Sequence, residues 1–436
     1  MSVFKKIPKL WGLPGALLMT ASAAFAGETA PGIDDLGKPF NQYTWVTAHN
    51  GYVDDMRTQL ERGVRGFMLD LHPGNLSGEA DVYLCHAGET GRCDVRNDRM
   101  LVDVLNDVFL PFLRSSPEVV VTLLLENYVD RINLQDALSR VPGLADWVFD
   151  PSPYAEDPTW PTLAQIIASG RRLVILTDRS AGAYEIDGKT LHLLRDKQWE
   201  NQNYWDLGIT VLEHEWSCPS RWEQYDAHVW ASGFGHWPRL FVMNQFHTWG
   251  ATADHAAALD NNLTWLERRV DNHCAVAMGK RTAPNFLAIN FNQAGDAFSY
   301  AAALTQGGFY FYEANQASPA GDTTCVIPAG QSQSLRLPAR GCENDEARSM
   351  KLRGISAGTR VMVYDSPGGS ITDDYAVIDI KRDIGLDEAI TVSTFERNED
   401  NADFRLVYVR ENGLDGKISR IVIGETPLDS DANDMQ

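Results

Sequence analysis

Positive charge is scarce in this sequence: 38 Lys and Arg stand against 59 Asp and Glu over 436 residues, a formal charge of -21. So acidic a chain is repelled by nucleic acid and by bare anionic membranes, which argues against polyanion-binding functions. Long apolar runs are missing as well. Beyond the first 26 residues no segment stays uncharged long enough to cross a bilayer. None of the six cysteines forms a C-x-x-C pair, so a cysteine metal cluster is a poor reading. No solenoid-type repeat occurs.

What is present begins with a leader pattern. Lys5, Lys6 and Lys9 precede a short apolar stretch, and Ala24-Phe25-Ala26 fits an A-x-A cleavage site. The expectation is a signal peptide over 1–26 and a secreted or periplasmic protein. Removing it takes away three lysines and no acid, leaving about -24 on about 410 residues. An even cysteine count in an exported chain points to disulfides. Cys85 with Cys93 and Cys325 with Cys342 are the local pairs, leaving Cys218 with Cys274; spacing alone does not prove that connectivity.

From about 40 to 310, apolar β-rich runs alternate with helical patterns. Strands are expected at 43–49, 65–71, 81–86, 119–126, 171–178, 208–216, 240–246 and 285–291. Many are apolar at successive positions, as in strands covered on both faces. Leu101, Val104, Leu105, Val108, Phe109 and Phe112 recur at helical spacing, and "VDDMRTQLERG" reads as a helix stopped by Gly63. The fold class is therefore α/β: a TIM-like (β/α) barrel, irregular or incomplete, over 27–315. Short β runs separated by Gly, Asp, Asn and Pro clusters over 316–427 predict a small all-β Greek-key domain, with a disordered tail at 428–436.

A barrel carries its chemistry at the C-terminal ends of its strands. Those ends hold His49 and Asn50, then Asp70, then His86, then Glu126. Two imidazoles can serve as acid and base near neutral pH. Asn, Asp and Glu offer the hard oxygens that Ca²⁺ prefers, and a divalent cation stabilises the charge of a phosphoryl transition state. It also reverses the field that would repel a phosphate. Arg179 is a candidate phosphate contact, with a surface salt bridge as the equal alternative. His72 and His247 read as ordinary, and Glu213 or Glu215 in "LEHEW" as polar strand-end residues that can enter the site.

"TAHNGY", "QLERGVRGFMLDLHPG", "LCHAG" and "VVVTLLLEN" resemble the catalytic domain of the calcium-dependent phosphoinositide phospholipase C family. The resemblance covers residues 40 to 130; further on only the barrel pattern continues. It implies that His49 stabilises the phosphate, that His86 protonates the leaving oxygen, and that Asn50, Asp70 and Glu126 hold Ca²⁺. Met68 stands where the family has an acid, and a thioether neither binds calcium nor acts as a base. A Cys85–Cys93 bridge would fix the direction of His86.

"NDEARSMKLRGISAGTRVMVYDSPGG" resembles a βγ-crystallin unit, through Asn344, Asp345 and Ser349; Asp415 and Ser419 mark a weaker second copy. That resemblance implies a second Ca²⁺ site, against turn residues of any β-sandwich. Together the residues predict a phosphodiesterase that cleaves phosphatidylinositol or a related phospholipid at a membrane surface to diacylglycerol and a cyclic inositol phosphate. The alternatives are a barrel phosphodiesterase of sphingomyelinase D or glycerophosphodiester specificity, or a catalytically impaired surface-binding relative.

Overall fold

The computed structural model describes residues 35–425, except 75–80, 87–98, 205–206, 209–212, 226–227, 232–233, 248–253, 331 and 411. The expected leader, Cys93 and the expected tail lie outside the described residues. Among the described residues no helix is long and apolar enough to cross a membrane.

Of the eleven strands in the N-terminal sheet, eight run parallel and form the ring. They are β1 (Trp45–Ala48), β2 (Gly66–Gly74), β4 (Val121–Asn127), β5 (Leu173–Thr177), β6 (Lys189–Arg195), β7 (Glu200–Gln202), β8 (Leu240–Gln245) and β9 (Phe286–Ile289). Their order is β6-β5-β4-β2-β1-β9-β8-β7. The ring stays open among the described residues, since no ladder joins β6 to β7. The four-residue helical turn Asp196–Trp199 links them covalently instead. The architecture is thus the expected mixed α/β fold with an incomplete barrel.

Why these residues curl into a barrel follows from alternation along each strand. One face of β1, β2, β4 and β5 packs outward on helices through Val46, Leu69, Leu123 and Ile175. The opposite face points inward, where Trp45, Leu124, Leu176, Val242 and Phe286 meet Phe40, Phe149, Trp160, Trp199 and Trp237. These rings fill the barrel interior, and hydrophobic burial on both faces explains the near-continuous apolar strands.

The helices form as their sequences dictate. Asp55 caps Met56–Arg62 by accepting from the Thr58 amide at 2.8 Å. Gly63 ends it at φ 116°, a left-handed position that suits glycine. The expected helix near 98–113 occupies 101–115, with a wider turn at Leu105–Phe109.

Two expected barrel strands turn out otherwise. Residues 81–84 form β3 (Asp81–Leu84), which lies off the ring and pairs antiparallel with the overrun of β2, Leu71 to Gly74. The described part of the expected 208–216 strand, residues 213–216, is irregular. Both runs are apolar, but among the described residues neither follows a helix that would return it parallel to the ring.

Gly308–Tyr312 pairs with Thr323–Pro328 and Ser349–Arg353 in a four-stranded antiparallel sheet. A six-stranded antiparallel sheet faces it, and one apolar cluster containing Phe311, Met350, Val361, Ile378 and Ile421 lies between. The C-terminal part is therefore an all-β sandwich.

Disulfides join Cys218 to Cys274 and Cys325 to Cys342. Cys85 is also disulfide-bonded. The first bridge spans 56 residues and the second 17. Loop-closure entropy then gives about 4 kcal/mol and about 3 kcal/mol respectively. Paired Cys→Ala variants, compared by urea unfolding, are expected to show the greater loss for Cys218/Cys274, by about 1 kcal/mol. The reverse order would mean that native contacts, not chain entropy, set the cost.

Candidate active site

The C-terminal ends of the strands surround a pocket of about 230 Å³. His49, Asn50, Asp70, His86 and Glu126, drawn from four separate stretches of the sequence, all line it. Parallel pairing explains part of this. Asp70 on β2 sits opposite Glu126 on β4, and Met68 opposite Leu124, so the two carboxylates emerge side by side. Ala48, the last residue of β1, is in register with Phe67 of β2 and Ile289 of β9. The chain then turns at Asn50, whose φ of 47° is a left-handed conformation that asparagine tolerates. Gly51 follows because a Cβ there would meet Phe67 at 2.7 Å.

His49 is held on two sides. Its ring stacks on Phe246, with centroids 3.5 Å apart and planes within 7°. Its Nδ1 lies 2.7 Å from Asn290 Oδ1. The Asn290 amide is oriented by its own Nδ2, which donates to the His247 carbonyl at 3.2 Å. Its oxygen must therefore accept from His49 Nδ1–H, which leaves Nε2 as the ring's lone-pair nitrogen. Burial pushes His49 down to about 4, so the ring is neutral.

His86 has the opposite support. Its Nδ1 lies 3.2 Å from Asp70 Oδ2, and that hydrogen bond holds the imidazole above its ordinary value against partial desolvation. The same Asp70 oxygen accepts from the Tyr52 hydroxyl at 2.9 Å. Tyr52 also lies 3.1 Å from Asn50 Oδ1, and so links the two oxygen donors from below. Glu126 accepts from Tyr128. Its carboxyl is raised by desolvation first and by Asp70 next.

Several lining residues were not legible beforehand. Asp178, Asp196, Glu200, Gln202, Arg221, Asn244 and Phe246 complete the wall. Glu200 is 1% exposed, with Oε2 unpartnered, and burial raises it well above the usual carboxylate range. Arg221 belongs to an irregular segment, where strand-end reading has no purchase. Asn290 was findable, since it directly follows β9.

Arg179 is placed elsewhere. It pairs with Asp178 at 3.4 Å and stacks over Tyr128 at 4.7 Å, outside the pocket lining. Glu215 turns back to the Ser217 amide at 2.9 Å. His72 stacks on Tyr128. In the C-terminal sandwich, Ser419 donates to Asp345 at 3.3 Å, whereas buried Ser349 bonds the Ala314 carbonyl and the Ala317 amide. Asp415 accepts from Thr394 and from the Phe395 amide. Asp345 and Ser419, beside Asn344, thus share one contact, whereas Ser349 and Asp415 belong to separate local networks.

The two imidazoles should titrate apart. In chelator-containing buffer, proton NMR of the full chain is expected to place the His49 midpoint near 4 and that of His86 above the ordinary imidazole value. Asp70 stabilises the charged His86 ring through a hydrogen bond and acts on His49 only through space, so Asp70→Asn should move the His86 midpoint down and that of His49 down by less. A His86 midpoint that ignores Asp70→Asn would remove the carboxylate from its support.

Residues 43–216 match the family model PI-PLC X 1. An Arabidopsis thaliana PI-PLC X domain-containing protein is 29% identical over 287 residues, 60% of this chain and 60% of that protein. An uncharacterized secreted protein of Arthroderma benhamiae is 32% identical over 165 residues, 34% of this chain and 35% of the other. The chain thus spans well under two thirds of these relatives' length. A mutant of the phosphatidylinositol-specific phospholipase C from Staphylococcus aureus aligns with a TM-score of 0.32 and 13% identity, covering 59% of this chain and 88% of that one. The strand ends that build the pocket from His49 to Glu126 lie within residues 43–216, the stretch that this family model matches.

Proposed function

We propose that the protein is an exported phosphodiesterase that cleaves phosphatidylinositol or a closely related phospholipid. One observation carries the reading: two imidazoles face one pocket with opposite proton roles, His49 offering a lone pair and His86 an Asp70-supported N–H. An intramolecular transfer needs that pair. His49 Nε2 takes the proton of the inositol 2-hydroxyl as its oxygen attacks phosphorus. The bond from phosphorus to the glycerol oxygen breaks, and His86 gives its proton to that oxygen. Diacylglycerol and a cyclic inositol phosphate result, and both rings are ready for exchange with water. The family resemblance gives His49 a phosphate-stabilising role; its tautomer here favours proton acceptance instead.

The donor chemistry at the rim fits a calcium ion. Asp70 and Glu126 bring two carboxylates and Asn50 an amide oxygen, while Met68 adds none. The pocket holds five carboxyl groups, Asp70, Glu126, Asp178, Asp196 and Glu200, against one guanidinium, Arg221. A bound cation would offset that excess and stabilise charge building on the phosphate. Arg221 is the pocket's own cation for a phosphate oxygen. Exposed Val53 and Tyr128 offer apolar contact to a lipid surface. Two disulfides and the name of the secreted Arthroderma relative support export.

The test is product analysis on mixed phospholipid vesicles and soluble glycerophosphodiesters. Cyclic inositol phosphate is expected; release of choline or glycerol phosphate instead would assign another phosphodiester class. His49→Ala and His86→Ala should each lower kcat at least about a hundredfold, with unchanged melting temperature. Near-normal turnover in either would end that residue's role. Activity is further expected to require added Ca²⁺, at lower concentration after Met68→Glu, since affinity rises with ligand charge. Full activity in excess chelator would leave Arg221 as the phosphate's cation.

A further inference from the structure

Outside the pocket, His214, His247 and Asp260 form a second cluster, and its ligand atoms all lie within 4.8 Å of one another. His214 Nε2 is 2.9 Å from Asp260 Oδ1, and His247 Nδ1 is 2.8 Å from Asp260 Oδ2. None of the three belongs to the proposed catalytic machinery. They come from an irregular segment, from the residue group after β8, and from the last turn of the helix Asp254–Asp260.

The His247 ring is the informative one. Its Nδ1 faces a carboxylate oxygen, and its Nε2 faces the Glu213 carbonyl at 2.9 Å. Both neighbours are acceptors, yet a neutral imidazole carries one N–H. If Nε2–H donates to the carbonyl, the Nδ1 lone pair points at a carboxylate, which only a second proton or a cation between them can reconcile. A ring N–H fixed on a backbone carbonyl, with the other nitrogen free, is the arrangement of a metal-ligating histidine. His247 is fully buried as a side chain and Asp260 nearly so, whereas His214 keeps a partly open edge.

We propose that His214 Nε2, His247 Nδ1 and the Asp260 carboxylate bind a zinc-class divalent transition metal, with water as fourth ligand. Two imidazole nitrogens and one carboxylate suit zinc, and calcium, which wants six or more oxygens, would not choose them. Tetrahedral bonds of about 2.0–2.2 Å set ligand atoms about 3.4 Å apart, so the two observed contacts need open by roughly half an ångström. The ion would tie the 213–217 segment to the end of β8. That position matters to the pocket, because the His247 carbonyl orients Asn290, and Asn290 holds His49.

The experiment reads binding alone. Full-length protein, stripped with chelator and desalted, is titrated with Zn²⁺ by calorimetry and by tryptophan fluorescence. His214 stacks on Trp216, and Trp216 stacks on Trp265, so the second signal reports from the site. One Zn²⁺ per chain is expected, with affinity lowered at least tenfold in His214→Gln, which keeps a donor toward Asp260, and in Asp260→Asn. The His49→Ala/His86→Ala double variant should retain full affinity, which separates this site from the pocket. Should the first two variants fail to fold, Co²⁺ added to the unmodified protein must give the intense visible absorption of a tetrahedral centre. No Zn²⁺ uptake at 100 μM, uptake unchanged by both variants, or uptake lost in the double histidine variant would overturn the proposal.

Discussion

The register of the parallel ladder between β2 and β4 is the constraint on which the site rests. Side chains alternate along a strand, so a slip of one residue by either strand would turn its carboxylate, Asp70 or Glu126, onto the helix-facing side and bring a leucine into the pocket. The register is secured by what lies below: Met68 opposite Leu124 on the inner face, and Leu69 and Leu123 buried among the helices. Core packing and site geometry are therefore one specification, because apolar residues lower in the strands decide where the carboxylates above them point.

Much of this could be read from residues alone, for a physical reason. Seven runs that are apolar at successive positions became strands, since burial on both faces leaves a continuous signature. Strand ends then predicted His49, Asn50, Asp70, His86 and Glu126 without any knowledge of pairing. Failures cluster where no periodicity exists. Arg221 sits on irregular backbone, and Glu200 lies in a three-residue strand too short to show a pattern. The run 81–86 was correctly seen as a strand but placed in the ring, because apolarity does not encode direction. His247 looked ordinary until the fold brought Asp260 and His214 to it.

Opposite proton roles for two chemically identical side chains arise from contrasting surroundings. His49 meets an amide oxygen and an aromatic face, neither of which carries charge, and burial keeps it neutral. His86 meets a carboxylate and stays more basic. The same Asp70 also raises Glu126, so its charge acts on both walls of the pocket. On the proposed function, the acidic excess would be gathered where a bound cation could offset it for an anionic ester.

β3 stands apart from the ring, bonded along the edge of the β2 overrun. The proposed proton donor, His86, therefore follows an appendage, whereas the proposed acceptor, His49, directly follows a strand of the ring. Val82 and Leu84 are buried among the outward-facing residues of the parallel strands, but exposed His86 lies beyond them, so changes at that end of the run can alter its basicity or reach with little effect on the strands. Changes around His49 must pass through the packing of β1, β8 and β9. The two halves of the proposed reaction would consequently diversify at unequal rates, the acid readily and the base hardly at all.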